Sequence, residues 1–269
     1  MPISDIQAEV LTQIAANRSP DSYLAGATVL HRKKDTPRFS QDLDFFHDVE
    51  DSVAQSAEQD SATLREAGYA FAWLLRTPAF HRAVVTVGNA ELKIEWAQDS
   101  AFRFYPVQQD KRFGYRLHDA DAATNKILAL AGRNEVRDFV DTLHLDATYL
   151  SLGTLVWAAC GKDPGFTPEF LLDHVGRHSA YTEADLNRLH TRVELDLQSM
   201  KQQWFSALEA ARSLVGALPP EELGCLYLDA RGNPVTPKPD VEGFSDLTRH
   251  TGSTRGAWPT VSPYPDAAS

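Results

Sequence analysis

Cysteine is nearly missing from this sequence, and its scarcity narrows the chemistry. The 269 residues hold only Cys160 and Cys225, too few for a disulfide framework and without the CxxC or Cys/His spacing of a zinc site. Both are expected as buried thiols. Long apolar runs are missing as well. No stretch approaches the roughly 18 residues needed to cross a bilayer, and the opening MPISDIQAEV has neither a basic segment nor an apolar one of the signal-peptide kind. The expectation is a soluble, cytoplasmic protein with no membrane partner. A basic excess is the third absence. With 26 Lys and Arg against 37 Asp and Glu, the formal net charge of −11 excludes a protein that coats nucleic acid by charge alone and confines any polynucleotide contact to a local patch.

What is present is an ordinary globular composition, 43% apolar and 23% charged, long enough for one large or two small domains. No internal repeat is visible. Ser4 with Gln7 three residues on predicts a capped helix whose stripe Ile6, Val10, Ile14 runs to about Asn17. A strand at Tyr23-Leu24-Ala25 then enters Gly26-Ala27-Thr28 and a short helix. After a polar loop over 32–41, Leu43 to Phe46 reads as a second strand. A polar helix over 52–67 precedes β-rich runs at 69–76, 79–87 and 91–96, the last two joined as a hairpin by Gly88-Asn89. From Asp119 the period is helical, with a break at Gly132 and further helices at about 153–160, 167–177, 183–190 and 193–215. Beyond Pro220, the prolines 234, 237, 239, 259, 263 and 265 predict a segment that cannot propagate helix, little of which packs, ending in a mobile tail. The expected division is 1–117, 118–218 and 219–269, an α+β domain with a mixed sheet followed by a helical domain and a Pro/Gly-rich segment.

The most informative stretch is Leu24-Ala25-Gly26-Ala27-Thr28 followed by Arg38-Phe39-Ser40-Gln41-Asp42-Leu43-Asp44-Phe45-Phe46. The strand period of two sends Asp42 and Asp44 to one face and Leu43 and Phe45 to the other. Two such carboxylates with triphosphate oxygens suit a hard ion such as Mg²⁺, the setting of phosphoryl transfer. Gly26 allows close approach of backbone to phosphate, and Thr28 offers a hydroxyl near helix N-terminal amides; the alternative is a plain strand-to-helix turn. Glu91, Lys93 and Glu95 share one face of the hairpin strand, so Glu95 is a candidate third acid, with an exposed charged face as the alternative. Lys126, Arg133, Arg137, Asp138 and Asp141 form a second polar set on two successive helices, where solvated ion pairs are the ordinary reading.

Together these two separated motifs resemble the AbiEii/AbiGii toxin family of nucleotidyltransferases, within the DNA polymerase β-like superfamily. The first is the Gly-Ala-Thr turn with Arg38-Phe39-Ser40 and Asp42-Leu43-Asp44-Phe45-Phe46; the second is Lys126-Ile127-Leu128-Ala129-Leu130 with Arg133 and Arg137-Asp138-Phe139-Val140-Asp141. Coverage is roughly 20–150. Where the family usually has a second Gly or Ser, this chain has Ala27, so Thr28 is the remaining hydroxyl. The resemblance implies a nucleotidyltransferase-type mixed sheet, Mg²⁺ (or Mn²⁺) held by Asp42, Asp44 and Glu95, and nucleotide contacts from Gly26, Thr28, Arg38, Ser40, Lys126 and Asp138.

The expected reaction is transfer of NMP from an NTP to an acceptor hydroxyl, with two metals about 3.5–4 Å apart on the Asp pair. In the resembling family a tRNA 3′ end is one acceptor class, and the setting is a toxin with an antitoxin protein. The basic loop from Arg32-Lys33-Lys34 to Arg38 would form an electropositive rim for an RNA acceptor. Two alternatives stay open: an aminoglycoside-type transferase acting on a small hydroxylated molecule, and a non-catalytic interaction module on the same fold.

Overall fold

The computed structural model describes residues 3–32, 36–133 and 135–260. Lys33 and Lys34 of the basic loop, and Pro263 and Pro265 of the tail, lie outside the described residues. The chain divides into two compact units. The first takes the chain up to Ala101, Pro106–Ala122 and Asn187–Leu195, and the second takes Phe102–Tyr105, Ala123–Leu186 and the chain from Asp196 onward. The expected cuts after 117 and 218 are therefore too simple, because the chain crosses between units several times.

Helix α1 (Asp5–Ile14) opens the first unit with the expected capping box: the Ser4 amide donates to Gln7 Oε1 at 2.9 Å, and the Gln7 amide to Ser4 Oγ at 3.3 Å. Strand β1 (Ser22–Leu24), helix α2 (Gly26–Leu30) and strand β2 (Asp42–His47) follow. Helix α3 (Glu50–Glu66) precedes the meander β3 (Ala70–Thr77), β4 (Phe80–Val87) and β5 (Ala90–Gln98). Gly88, at φ +61, starts the two-residue turn between β4 and β5, a backbone region that glycine enters at little cost. Strand β6 (Phe102–Arg103) belongs to the second unit, while β7 (Gln108–Asp110) and β8 (Gly114–Arg116) return to the first. These three strands are too short to show a period in sequence.

Among the described residues the first unit holds a seven-stranded sheet of order β3-β4-β5-β2-β1-β8-β7. It is mixed, as expected, since β2 runs parallel to β5 and antiparallel to β1. The period of two is realised in full. Leu43, Phe45, Leu92, Ile94 and Trp96 are buried in a core with Val10, Leu11 and Ile14 of α1 and Val53, Ala57 and Leu64 of α3.

Inside that core lies a polar network. Arg18 and Asp60 form an ion pair with no exposed side-chain surface. Asp60 also accepts from Trp96 Nε1 at 2.8 Å and Asn17 Nδ2 at 2.9 Å. The Arg18 guanidinium stacks 4.2 Å over the Phe45 ring and donates to Ser22 Oγ at 2.9 Å, and that hydroxyl meets His47 Nε2 at 3.1 Å. Burial, helped by the Arg18 charge, lowers the His47 pKa to about 4, so the imidazole is neutral in the folded protein at neutral pH.

The second unit is mainly helical: α4 (Asp119–Gly132, its first turn counted with the first unit), α5 (Val136–Thr148), α6 (Leu152–Lys162), α7 (Pro168–Gly176), α8 (Glu183–Leu186) and α9 (Leu197–Ala217). Trp204 of α9 is fully buried and meets Phe139 edge-on at 5.3 Å. The expected helices over 183–190 and 193–215 are shorter at their facing ends. Residues 187–195 instead belong to the first unit, where the Phe39 amide donates to the His190 carbonyl at 2.8 Å and the Arg192 amide to the Pro37 carbonyl at 2.8 Å. Helix α9 begins only where the Asp196 carboxylate accepts from the Gln198 amide at 3.0 Å, a side-chain N-cap.

The expectation that little after Pro220 packs is corrected. Strand β9 (Cys225–Leu228) is buried at every position and pairs with β10 (Thr248–Thr251), while β11 (Ser253–Thr254) pairs with β6. The prolines 234, 237 and 239 occupy the connection between β9 and β10, outside the ladder these two strands form with each other. Glu222 accepts from Tyr227 Oη and from Arg249 Nε, each at 2.8 Å, clamping this end of the chain. Both thiols are buried as expected, and burial first, then nearby carboxylates, pushes Cys160 up to about 12 and Cys225 up to about 11. No helix among the described residues is long and apolar enough to cross a membrane.

The His47 imidazole yields a pH prediction. In the unfolded chain it takes a proton as pH falls below about 6.5, whereas in the folded protein it resists until about 4. Stability is therefore lost on acidification through that window, by about 3 kcal/mol in all. Urea unfolding at stepped pH should show this decline, and His47→Gln should flatten it.

Candidate active site

The site is built on the face of the sheet opposite the core. The parallel register of β2 and β5 sets Asp42 beside Lys93 and Asp44 beside Glu95. Asp42, Asp44 and Glu95 therefore share one face on adjacent strands. Arg82 joins them, because β4 pairs Arg82 with Glu95. Two cations lie among the acids: Lys93 Nζ is 3.0 Å from Asp42 Oδ2 and 3.3 Å from Glu95 Oε1, and Arg82 Nε is 2.8 Å from the same Glu95 oxygen.

Position 42 is fixed by its own backbone. The Asp42 carbonyl accepts from Thr28 Oγ1 at 2.8 Å, Ser40 Oγ at 3.1 Å and Gln7 Nε2 at 3.2 Å. Thr28 Oγ1 also lies 3.0 Å from Ser40 Oγ, and Thr28 is fully buried. Thr28 and Ser40, expected as nucleotide contacts, have their hydroxyls bonded inside the protein, where they anchor the strand that carries the acids. Gln7 serves both its helix cap and this anchor, which the capping pattern alone does not reveal.

Asp44 is fixed through Gly26. The Ala25 amide donates to the Asp44 carbonyl at 2.8 Å. Gly26 lies at φ +62, and a β-carbon added there would stand 1.9 Å from Asp44 Oδ2. Only glycine fits, on both conformational and steric grounds. Its part in the site is to let the Asp44 carboxylate lie against the chain at the start of α2.

Arg38 is buried, 3% exposed, and donates to the Phe39 carbonyl at 3.1 Å. Arg32 is engaged with Asp119, Nη2 to Oδ1 at 2.6 Å. The expected electropositive rim therefore receives no open cation from these two arginines. Lys126 and Asp138 belong to the second unit and form a closed cluster there. Lys126 Nζ is 2.8 Å from Asp138 Oδ1 and 3.0 Å from Asp141 Oδ2, and Arg133 Nε is 2.6 Å from Asp138 Oδ2. Asp138 and Asp141 have almost no exposed side chain and Lys126 only 6%, so the reading as solvated ion pairs is corrected. Burial opposes the charge on Asp138, yet the Lys126 ammonium and Arg133 guanidinium outweigh it and hold the carboxyl below its ordinary pKa.

The donor chemistry fits a hard divalent ion at Asp42 and Asp44, two carboxylates on one sheet face. It fits as a two-carboxylate site. Glu95 is engaged by Arg82 and Lys93, and among the described residues no group of three or more His, Cys, Asp or Glu side chains is arranged to hold a metal ion. Magnesium is commonly held by one or two carboxylates, with substrate phosphates and water completing its shell. Sequence reasoning placed Lys93 on this face without assigning it a part, and it missed Arg82. Alternation along β4, which puts Arg82 opposite the apolar Ala83 and Val85, was the available signal.

No protein-family model matches this sequence, and no curated protein matches it. Solved structures do share its fold. The crystal structure of JHP933 from Helicobacter pylori aligns over 80% of this chain and 95% of its own, at 16% identity and a TM-score of 0.51. MenT4, nucleotidyltransferase toxin Rv2826c from Mycobacterium tuberculosis H37Rv, aligns over 80% of this chain and 83% of its own, at 17% identity and a TM-score of 0.57. Likeness at this identity establishes the architecture alone, which is that of the nucleotidyltransferase fold. The resemblance to the AbiEii/AbiGii family stays with the two motifs.

Gly26→Ala should destabilise the protein by more than about 1 kcal/mol in urea unfolding. The loss should shrink in an Asp44→Ala background, where the carboxylate that blocks the new methyl group is gone. Lys126→Met should cost about 3–5 kcal/mol, because it leaves Asp138 and Asp141 buried without their shared cation. Retention of wild-type stability in that variant would point instead to a ligand-contacting lysine.

Proposed function

We propose that this protein is a nucleotidyltransferase that moves NMP from an NTP to an acceptor hydroxyl, the hydroxyl oxygen bonding the α-phosphorus as the bond to the β-phosphate breaks and pyrophosphate leaves. The observation that carries this reading is the pair Asp42 and Asp44, aligned on one sheet face of a nucleotidyltransferase fold and fixed by the donors on the Asp42 carbonyl and the close approach of Gly26. Asp42 and Asp44 hold the divalent ion, Mg²⁺ or Mn²⁺. Such an ion, when bound, neutralises phosphate charge and lowers the pKa of the attacking hydroxyl. The chain's own residues do the rest. Thr28, Ser40 and Gln7 keep the Asp42 backbone from shifting, Gly26 leaves room for the Asp44 carboxylate, and Glu95 keeps Lys93 and Arg82 on the same face.

The acceptor in this proposal is an RNA 3′ hydroxyl, a tRNA end among them, and the biological role is that of a growth-limiting toxin held in check by an antitoxin protein. Support comes from the two motifs shared with the AbiEii/AbiGii family and from the fold shared with a nucleotidyltransferase toxin. With −11 net charge, the RNA contact is local and limited to few phosphates.

Incubation with α-³²P-labelled NTPs and total RNA tests the reading. Label should enter a discrete RNA species in the presence of Mg²⁺. Asp42→Asn and Asp44→Asn should each lower incorporation at least about a hundredfold with an unchanged circular dichroism spectrum. Full incorporation by either variant would overturn the assignment.

A further inference from the structure

The acids of the candidate site are not bare. Lys93 divides its ammonium between Asp42 and Glu95, and Arg82 takes the other claim on Glu95. Resting on the metal-dependent reading of Asp42 and Asp44, we infer that Lys93 is the resident cation of this site: it neutralises Asp42 until a divalent ion takes that carboxylate, and it then turns to the phosphates of the nucleotide.

Three features support this role. Register comes first. Asp42 and Lys93 are direct neighbours across a parallel ladder, so the backbone cannot part them, and only the flexible four-carbon stem of the lysine can carry its charge away. Exposure comes second. The Lys93 side chain is 32% exposed, against 6% for Lys126, so Lys93 has open space to move into while Lys126 is enclosed by its acids. Charge comes third. A divalent ion arriving alone at Asp42 meets the repulsion of an adjacent ammonium, whereas one arriving with a polyphosphate brings a new anion for that ammonium to bind. Glu95 holds the other side of the lysine, its Oε1 lying 3.3 Å from Lys93 Nζ.

Lys93 thereby makes metal binding depend on nucleotide. Metal alone binds weakly, and metal with NTP binds well, because the displaced cation is compensated only in the second case.

The test follows Mn²⁺ by electron paramagnetic resonance on the full chain without nucleotide, in wild type, K93M, K93Q, K93R and D42N. K93M and K93Q should bind Mn²⁺ about fivefold or more tightly than wild type. K93R keeps the charge and should match wild type, and D42N should lose binding. With saturating Mg²⁺, a non-hydrolysable NTP analogue should bind K93M about tenfold more weakly than wild type. K93Q serves if K93M does not fold, as judged by circular dichroism. Mn²⁺ affinity unchanged in K93M and K93Q, or analogue affinity unchanged in K93M, overturns the role of Lys93. If D42N also binds Mn²⁺ like wild type, the reading of the acid pair fails with it; if D42N loses the ion while the Lys93 variants behave as wild type, only the role of Lys93 fails.

Discussion

The parallel pairing of β2 with β5 is the constraint on which the rest of the first unit depends. With Asp42 opposite Lys93 and Asp44 opposite Glu95, every charged side chain of the two strands falls on one face and Leu43, Phe45, Ile94 and Trp96 fall on the other. A slip of one residue would bury the acids and expose the aromatic core, so the hydrophobic effect itself holds the register that assembles the site. The donors converging on the Asp42 carbonyl from α1, α2 and the preceding loop then lock the strand along its length.

Behind the same strands, the Arg18 and Asp60 pair fills a complementary role. A buried ion pair contributes little net stability, because both charges lose their water. Its bonds nevertheless run to Ser22 on β1, Trp96 on β5 and Asn17, with the guanidinium packed on Phe45 of β2, so the pair specifies how helix and sheet meet. Arg18 and Lys126 are enclosed by their acids, whereas Lys93 makes similar contacts at a half-open position. The difference lies in solvent access, which sets the cost of breaking each pair.

Much of this was legible in the residues. Alternation alone put Asp42 and Asp44 on one face, the Ser4 and Gln7 spacing announced the first helix, and Gly88-Asn89 announced the hairpin. Less legible was the use of polar side chains. Thr28 and Ser40 look like phosphate contacts in a linear motif, yet a hydroxyl bonds whichever acceptor the fold brings nearest, and here that is the Asp42 carbonyl. Likewise Lys126, Asp138 and Asp141 have the spacing of a surface ion-pair set and become a buried cluster only because both helices turn those positions inward.

Local pattern was a poor guide where partners come from far along the chain. Residues 187–195 continue a helical period but bond to 37–39, and the proline-rich stretch past 220 contains a fully buried strand because its partner, 248–251, lies across the proline-bearing connection. Short-range periodicity, capping and turn chemistry were determined by the sequence alone, since their interactions span only a few residues. Which acids meet which cations, which hydroxyls are consumed and which lysine stays open were decided by tertiary structure, because electrostatic and hydrogen-bond pairing depends on distances that only strand register and burial set.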